Sequence, residues 1–253
     1  MSPAGANGTD ALLALLRYPT LLGNARPCAP MRPEKPQPMK KRVAVLISGR
    51  GSNMMALVEA ARAGDYPAQV ALVISNRPEA PGLQRAMDAR VKALAIDHKA
   101  YASRDAFDAA LETQLLGEGI ELVCHAGFMR IQTEAFATRW LGRQLNIHPS
   151  LLPSFKGLHP HEQALEAGVR VSGCTVHFVT AELDAGPIVA QAAVPVLADD
   201  TPQTLADRVL SAEHRLYPLA LSLVASGRAR LEGGRVRLSA LVNPIDPLFS
   251  PTP

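Results

Sequence analysis

Five of the seven histidines fall in one stretch of this 253-residue sequence, at positions 125, 148, 159, 161 and 177. One of them, His148, follows Asn146 and Ile147 at the end of a predicted buried strand. Ligand sites in open α/β sheets lie at the carboxyl ends of strands, and an imidazole beside an amide suits acid–base chemistry there. The plainer alternative, in which His148 only caps the strand and Asn146 bonds to the turn backbone, stays open on these residues alone.

Asp184 is the candidate carboxylate for this chemistry. It lies in a predicted hairpin turn between Leu183 and Gly186, where an aspartate usually does no more than form the turn. If the hairpin folds over the strand end at His148, the carboxylate could orient the imidazole and stabilise its protonated form. Sequence separation does not decide between the two interpretations.

A glycine-rich loop, Ser48-Gly-Arg-Gly-Ser-Asn53, joins the first predicted strand to the first predicted helix. Gly49 and Gly51 let backbone amides face outward, and the start of a helix favours an anion, so a phosphate is a natural ligand. The loop lacks the third glycine of a dinucleotide-binding motif and the Gly-Lys-Ser/Thr of a P-loop. A tight turn without a ligand is equally compatible with the sequence.

The spacing of the candidate metal ligands does not indicate a metal site. His159 and His161 flank a proline, and no two histidines are four residues apart on a predicted helix. The three cysteines, Cys28, Cys124 and Cys174, form no Cys-x-x-Cys pair. We therefore predict no metal, no disulfide framework, and reduced thiols in a cytoplasmic protein.

The elements that position these residues alternate between apolar strands and amphipathic helices in the first half of the chain. Strands are predicted there at 43–47, 70–74, 91–96 and 120–125, and helices at 53–62, 82–89 and 104–116. A short strand at 144–147 and a short helix at 161–167 follow in the second half of the chain. Ser52 or Asn53 is expected to cap the first helix. This alternation requires a doubly wound, mostly parallel sheet with right-handed crossovers, an α/β fold of Rossmann-like type.

The second half of the chain has a different pattern. Alternating residues at 174–179 and 188–194 around the turn at 183–186 predict a hairpin. Thr201 and Pro202 begin a long helix that reaches about Ala225, with a disturbance possible at Pro218. A short edge strand is expected at 236–238.

Composition and charge set the domain boundaries. The chain carries 26 Lys and Arg against 23 Asp and Glu, a net charge of +3, and the whole of that excess lies in the first forty residues together with 7 of the 21 prolines. We predict a disordered extension at 1–40, in which Met39 is an alternative to Met1 as the start of translation, a catalytic domain at 41–240 and a loose tail at 241–253. Aromatic residues at 4%, a neutral remainder and no long apolar run argue against nucleic-acid and membrane partners.

Several long motifs, in one order from about Arg42 to Arg230, resemble the phosphoribosylglycinamide formyltransferases, purine-synthesis enzymes that use 10-formyltetrahydrofolate. The motifs are LISGRGSN at 46–53, AGFMR at 126–130, NIHPSLLP at 146–153, TVHFV at 175–179 and LDAGP at 183–187. The resemblance implies formyl transfer to glycinamide ribonucleotide by a formyltransferase catalytic domain. It also implies small-molecule substrates, no metal, and a monomer or homodimer.

The resemblance also implies a role for individual residues. The catalytic set would be Asn146, His148 and Asp184, supported by His177. The residues that would bind the ribonucleotide are Gly51, Ser52 and Asn53 at the phosphate and Glu213 at the ribose or glycinamide. The residues that would line the folate pocket are Arg104, Met129, Arg130, Ile131, Gln132, Asn146, Thr180, Ala181, Glu182, Leu183 and Asp184.

The implied mechanism is attack of the glycinamide amine on the formyl carbon carried by N10 of the folate. Protonated His148 and the Asn146 amide would stabilise the charge that develops on the formyl oxygen. Asp184 would keep His148 charged, and a water would carry the proton from the amine to N10.

Two positions depart from the family pattern. Arg50 stands where some relatives have Asn, and Pro160 where a Thr is expected between the two histidines.

Three alternative functions remain. Formyltetrahydrofolate deformylase shares the chemistry but carries an added N-terminal domain, and methionyl-tRNA formyltransferase carries a C-terminal RNA-binding domain and a basic surface. A nucleotide-binding module without catalysis would use only the Gly51 loop.

Overall fold

The computed structural model describes residues 39–239 and Ser250, and a seven-stranded sheet runs through them. Its strands, in chain order, are β1 (Lys41–Ile47), β2 (Ala68–Ser75), β3 (Lys92–Ala95), β4 (Leu122–His125), β5 (Gln144–His148), β6 (Val171–Phe178) and β7 (Ile188–Pro195). The predicted disordered extension lies almost wholly outside the described residues, and so does the loose tail apart from Ser250.

The helices connect these strands and cover both faces of the sheet. They are α1 (Ser52–Ala61), α2 (Pro81–Asp88), α3 (Arg104–Gly117), α4 (Glu134–Arg139), α5 (Pro160–Glu166) and α6 (Pro202–Ala225), with a short 3₁₀ turn at His98–Ala100. None of the helices in residues 39–239 is long and apolar enough to cross a membrane.

The strand order is β3-β2-β1-β4-β5-β6-β7. Neighbours from β3 to β5 run parallel, whereas β6 is antiparallel to both β5 and β7. The chain winds outward from β1 in one direction and then from β4 in the other, so the carboxyl ends of β1 and β4 flank the switch point where such sheets bind ligands. The predicted doubly wound α/β fold with a C-terminal hairpin and a long helix is confirmed.

Each face of the sheet carries its own core because successive strand residues point to opposite sides. In β1, Val43, Val45 and Ile47 pack with α1, α5 and α6, whereas Ala44 and Leu46 pack with α3 and α4. All five are fully buried, as expected for the continuous apolar run of a central parallel strand.

The start of α1 differs from the prediction. Gly51, with φ at 69°, is the N-cap, and no side chain caps the helix. The expectation that Ser52 or Asn53 caps it is therefore wrong. The left-handed turn at Gly51 already places Ser52 in the helix, and the Asn53 amide bonds to another helix instead. A Cβ at Gly51 would lie 2.9 Å from Cε of Met54, so the turn also needs glycine for space.

Three further differences concern elements outside the main sheet. The predicted edge strand is β9 (Arg235–Leu238), which pairs with β8 (Ala229–Glu232) in a separate two-stranded sheet rather than at the edge of the main one. The structure adds β8 and α4, which were not predicted. The helix α6 continues through Pro218, and the Tyr66 hydroxyl donates to the Pro218 carbonyl at 2.7 Å.

Candidate active site

The carboxyl end of β5 brings together the polar residues that were singled out in the sequence. Asn146 and His148 are two residues apart and therefore lie on the same face of the strand. His177 of β6 pairs directly opposite Asn146 across the antiparallel ladder. The loop between β6 and β7 then folds back and adds Asp184, so four polar side chains from two strands and one loop meet.

The loop reaches His148 because Gly186 lets it lie against β6. A Cβ at Gly186 would stand 1.7 Å from the Phe178 carbonyl oxygen, a distance that no side chain tolerates. Asp184 itself adopts a left-handed conformation with φ at 49° and is only 7% exposed. The hairpin turn thus places the buried Asp184 carboxylate at the end of β5, close to His148. Sequence separation alone could not establish this contact.

Both ring nitrogens of His148 face oxygen acceptors. Nδ1 lies 3.4 Å from Oδ2 of Asp184, and Nε2 lies 2.9 Å from the Phe155 carbonyl oxygen. An imidazole satisfies two acceptors at once only when both nitrogens carry a proton. This geometry favours the imidazolium form beside an ionised carboxylate.

The carboxylate of Asp184 is held in its charged form by its neighbours. Burial opposes ionisation, but the nearby His177 ring, the Gly157 amide at 3.0 Å and the proximity of His148 together bring the pKa of Asp184 below its ordinary value. Asp184 therefore presents a buried, charged carboxylate, which has its own backbone donor, to Nδ1 of His148.

His177 connects this pair to Asn146. Its Nδ1 donates to the Phe178 carbonyl at 2.9 Å, and its Nε2 lies 3.2 Å from Nδ2 of Asn146 and 3.7 Å from Oδ1 of Asp184. The ring is almost fully buried. With its proton on Nδ1, the ring accepts from the Asn146 amide through Nε2 and so orients that amide from the adjacent strand.

A small cavity of about 80 Å³ opens beside these residues. The predicted folate residues that line it are Arg130, Ile131, Gln132, Asn146 and the run 180–184. His125, Phe128, Val179 and His177 also line it. His148 does not line this cavity, and its imidazole is enclosed by its contacts with Asp184 and Phe155.

Two predicted folate residues are not brought to the cavity. Arg104 is the first residue of α3, and its exposed side chain is not among the residues that line the cavity. The backbone amide of Met129 donates to the Ser48 hydroxyl at 2.8 Å, while its side chain is 67% exposed outside the cavity.

Sequence reasoning missed several residues of the site. His125 ends β4, forms an edge-to-face pair with Phe128 at 5.5 Å, and has its pKa lowered to about 4 by burial. Its place at a strand end, two residues before Gly127, was an available signal. Phe155 and Gly157 contribute only backbone groups, which no residue-type pattern could reveal.

The glycine-rich loop lies at the end of β1, on the other side of the switch point. Asn53 donates from Nδ2 to Oε2 of Glu213 on α6 at 2.7 Å, and burial raises the pKa of Glu213 to about 7 although this hydrogen bond opposes the shift. Ser48 connects this loop to the cavity because its hydroxyl accepts from the Met129 amide. The predicted phosphate residues Gly51 and Ser52 stand at the start of α1 within this arrangement.

No group of three or more His, Cys, Asp or Glu side chains within residues 39–239 is arranged to hold a metal ion. The site itself offers a buried imidazole–carboxylate pair, an amide donor and a polar cavity.

Comparison with known proteins gives a consistent set of relatives. A model described as formyl transferase matches residues 41–221. The phosphoribosylglycinamide formyltransferase of Escherichia coli (strain K12) is 44% identical over 189 residues, covering 75% of this chain and 89% of that protein. The trifunctional purine biosynthetic protein adenosine-3 of Bos taurus is 53% identical over 79% of this chain, but the chain spans only 20% of that longer protein.

Solved structures agree with these sequence matches. Glycinamide ribonucleotide transformylase 1 from Symbiobacterium toebii superposes with a TM-score of 0.76 at 54% identity, covering 79% of this chain and 94% of that one. Phosphoribosylglycinamide formyltransferase from Anaplasma phagocytophilum gives 0.74 at 45% identity, covering 81% and 97%.

Proposed function

The chain belongs to the formyl transferase family, and on that premise we propose that it transfers the formyl group of 10-formyltetrahydrofolate to the amine of glycinamide ribonucleotide. The observation that carries the proposal is the meeting of Asn146, His148 and Asp184 at the carboxyl end of β5, beside a polar cavity. The relatives named above as phosphoribosylglycinamide formyltransferases support the choice of acceptor.

In the proposed reaction the amine nitrogen attacks the formyl carbon, a new C–N bond forms, and the bond from that carbon to N10 breaks. Negative charge develops on the formyl oxygen in between. A well-placed donor such as the Asn146 amide or the His148 imidazolium stabilises such an oxyanion by about 3 to 4 kcal/mol. The amine loses one proton and N10 gains one, and a water can carry that proton between them.

Asn146 and His148 differ in how directly they can contact the formyl oxygen. Asn146 lines the cavity and can reach a ligand there. His148 donates from Nε2 to the Phe155 carbonyl, so direct contact with the formyl oxygen requires Nε2 to exchange that carbonyl for the substrate. Asp184 keeps the imidazolium stable through the exchange because it faces the other ring nitrogen.

The second substrate would occupy the glycine-rich loop. Amides at the start of α1 and the Ser52 hydroxyl suit the phosphate, and the helix dipole adds to their attraction. Glu213 stands next to this loop through its bond with Asn53 and would accept from a ribose hydroxyl or the glycinamide end. The two substrates would then meet across the switch point, where Ser48 connects their binding segments.

We propose further that the protein acts as a monomer or homodimer in the cytoplasm, without nucleic-acid or membrane partners. The two cysteines within the described residues, Cys124 and Cys174, are buried free thiols, as is usual in a reducing compartment. The deformylase alternative has no support among the relatives named above.

A coupled assay tests the proposed function. The full chain is mixed with 10-formyltetrahydrofolate, and appearance of tetrahydrofolate is followed with and without glycinamide ribonucleotide. We expect product only when the nucleotide is present. Equal product formation without it would indicate a hydrolase, and no product in either case would overturn the proposal.

A further inference from the structure

Helix α2 holds the glycine-rich loop through two of the loop's carbonyl groups. The Gly82 amide donates to the Gly49 carbonyl at 3.0 Å. Nη1 of Arg85 donates to the next carbonyl, that of Arg50, also at 3.0 Å. A Cβ on Gly82 would lie 2.5 Å from Cδ1 of Ile47 and 2.8 Å from the Gly49 oxygen, so α2 packs here as closely as a glycine allows. One helix therefore fixes two successive peptide groups of the loop.

The direction of these carbonyls sets the direction of the amides that follow them. Both peptide bonds are trans, and in a trans peptide the C=O of one residue and the N–H of the next point in opposite directions. The N–H groups of Arg50 and Gly51 therefore face away from α2. Helix α2 packs on β2 and β3, on one side of β1, whereas β4 lies on the other side. The two amides are thus directed toward the switch point between β1 and β4.

The amides on this side of the loop are available to a ligand. Hydrogen bonds among residues 39–239 use neither the Arg50 nor the Gly51 amide, and no side chain caps α1. Successive backbone N–H groups that lead into the start of a helix form a concave site for an anion. The buried Oδ1 of Asn53 also has no partner among the described residues, so an acceptor for a donor group of the same ligand is free as well.

Resting on the proposed function, we propose that Arg85 is a positioning residue for the phosphate of the ribonucleotide. It acts through the Arg50 carbonyl, because its guanidinium keeps that peptide group turned so that the Gly51 amide faces the phosphate. It also pairs the partly negative carbonyl oxygen, which would otherwise repel the anion if it turned toward it. Gly82 performs the same task at the Gly49 carbonyl through its own backbone amide.

Two acceptors that differ only in the phosphate test this role. They are glycinamide ribonucleotide and the corresponding ribonucleoside, and kcat/KM for each is measured with the full chain at saturating 10-formyltetrahydrofolate. Arg85→Met removes the donor and the charge from an exposed side chain, and Arg85→Lys restores both. The matched control is Arg62→Met, which removes an exposed cation that pairs with Glu59 at the end of α1.

Arg85→Met should lower kcat/KM for the ribonucleotide about tenfold, through KM, because amide hydrogen bonds to a charged phosphate are strong and lose their alignment. The kcat with the ribonucleotide, kcat/KM for the ribonucleoside and KM for the folate should stay near their wild-type values. Arg85→Lys should recover most of the loss, and Arg62→Met should preserve the wild-type preference. The effect of Arg85→Met should persist at about 0.5 M salt, where the contribution of a distant charge is screened.

Two results would overturn the positioning role. The first is that Arg85→Met retains the wild-type preference for the ribonucleotide or lowers kcat/KM for both acceptors equally. The second is that its effect disappears at high salt, because the side chain would then act only by its charge and not through the Arg50 carbonyl.

The outcome separates this inference from the proposed function. If the wild type formylates neither acceptor, the proposed function fails and Arg85 has no phosphate to position. If the wild type formylates the ribonucleotide in preference and Arg85→Met keeps that preference, only the role of Arg85 is refuted. If the wild type formylates both acceptors equally well, formyl transfer stands, but the loop does not recognise the phosphate and the role of Arg85 is again refuted.

Discussion

Replacing Asp184 by Asn tests the buried ion pair with His148. Asn keeps the shape of the side chain and can still accept from the Gly157 amide, but it removes the negative charge. Two unit charges 3.4 Å apart attract each other by about 5 kcal/mol at an effective dielectric constant near 20. Both side chains are at least 93% buried, so solvent screens the pair little.

Because both charges are spread over several atoms, we expect about 3 to 5 kcal/mol of this stabilisation to be lost from the transition state. That corresponds to roughly two to four orders of magnitude in kcat. KM for glycinamide ribonucleotide should change by no more than a few fold, since the glycine-rich loop is not altered, whereas KM for the folate can rise because Asp184 also lines the cavity. Steady-state kinetics with thermal melts would measure both effects.

Asp200→Asn is the matched control for this substitution. Asp200 is held by Arg208 at 2.6 Å at the amino-terminal end of α6, and that hydrogen bond brings the pKa of Asp200 far below its usual range. Losing this pair should change stability but not turnover. If Asp184→Asn keeps kcat within threefold of the wild type, the ion pair does not serve catalysis and the proposed role of Asp184 is refuted.

Three further substitutions follow from the same structure. Burial raises the pKa of Glu213 to about 7. The contribution of Glu213 to the free energy of unfolding is therefore full below about pH 4.5 and falls by about 3 kcal/mol as pH rises to about 7. Glu213→Gln should abolish this pH dependence when unfolding by urea is measured between pH 5 and 8. Gly186→Ala should lower kcat at least tenfold, measured alongside the melting temperature, because its Cβ would strike the Phe178 carbonyl and displace the Asp184 loop. Tyr217→Phe removes the hydroxyl that donates to the buried carbonyls of His125 and Leu145. It should lower the unfolding free energy by about 1 to 3 kcal/mol and leave KM unchanged. An unchanged midpoint of urea unfolding would contradict this prediction.

Elements with strong local signals were predicted closely. The apolar run at 43–47 lies within β1, and the Thr201-Pro202 start of α6 is confirmed by a capping box in which Thr201 and Thr204 bond reciprocally. These features depend on residues next to one another in the chain, so the sequence displays them directly. Helix α4, with Thr133 accepting from the Phe136 amide, carried the same kind of signal and was missed because it is only six residues long.

The site was predicted less completely because its geometry is set by distant segments. Asn146 and His148 stood out as residue types at a strand end, but their contacts with Phe155, Gly157 and His177 depend on how loops fold back over the sheet. The Asn53 side chain looked like a helix cap and instead bonds to Glu213, 160 residues away. Tertiary contacts of this kind override local preference, and they are where functional residues concentrate.

The fate of the formyl carbon tests the central claim most directly. The full chain is incubated with glycinamide ribonucleotide and 10-formyltetrahydrofolate labelled with ¹³C in the formyl group, and the carbon is followed by nuclear magnetic resonance. Catalysis by Asn146, His148 and Asp184 as proposed predicts that the label appears in the N-formyl group of the nucleotide. Label that appears only in free formate would contradict it.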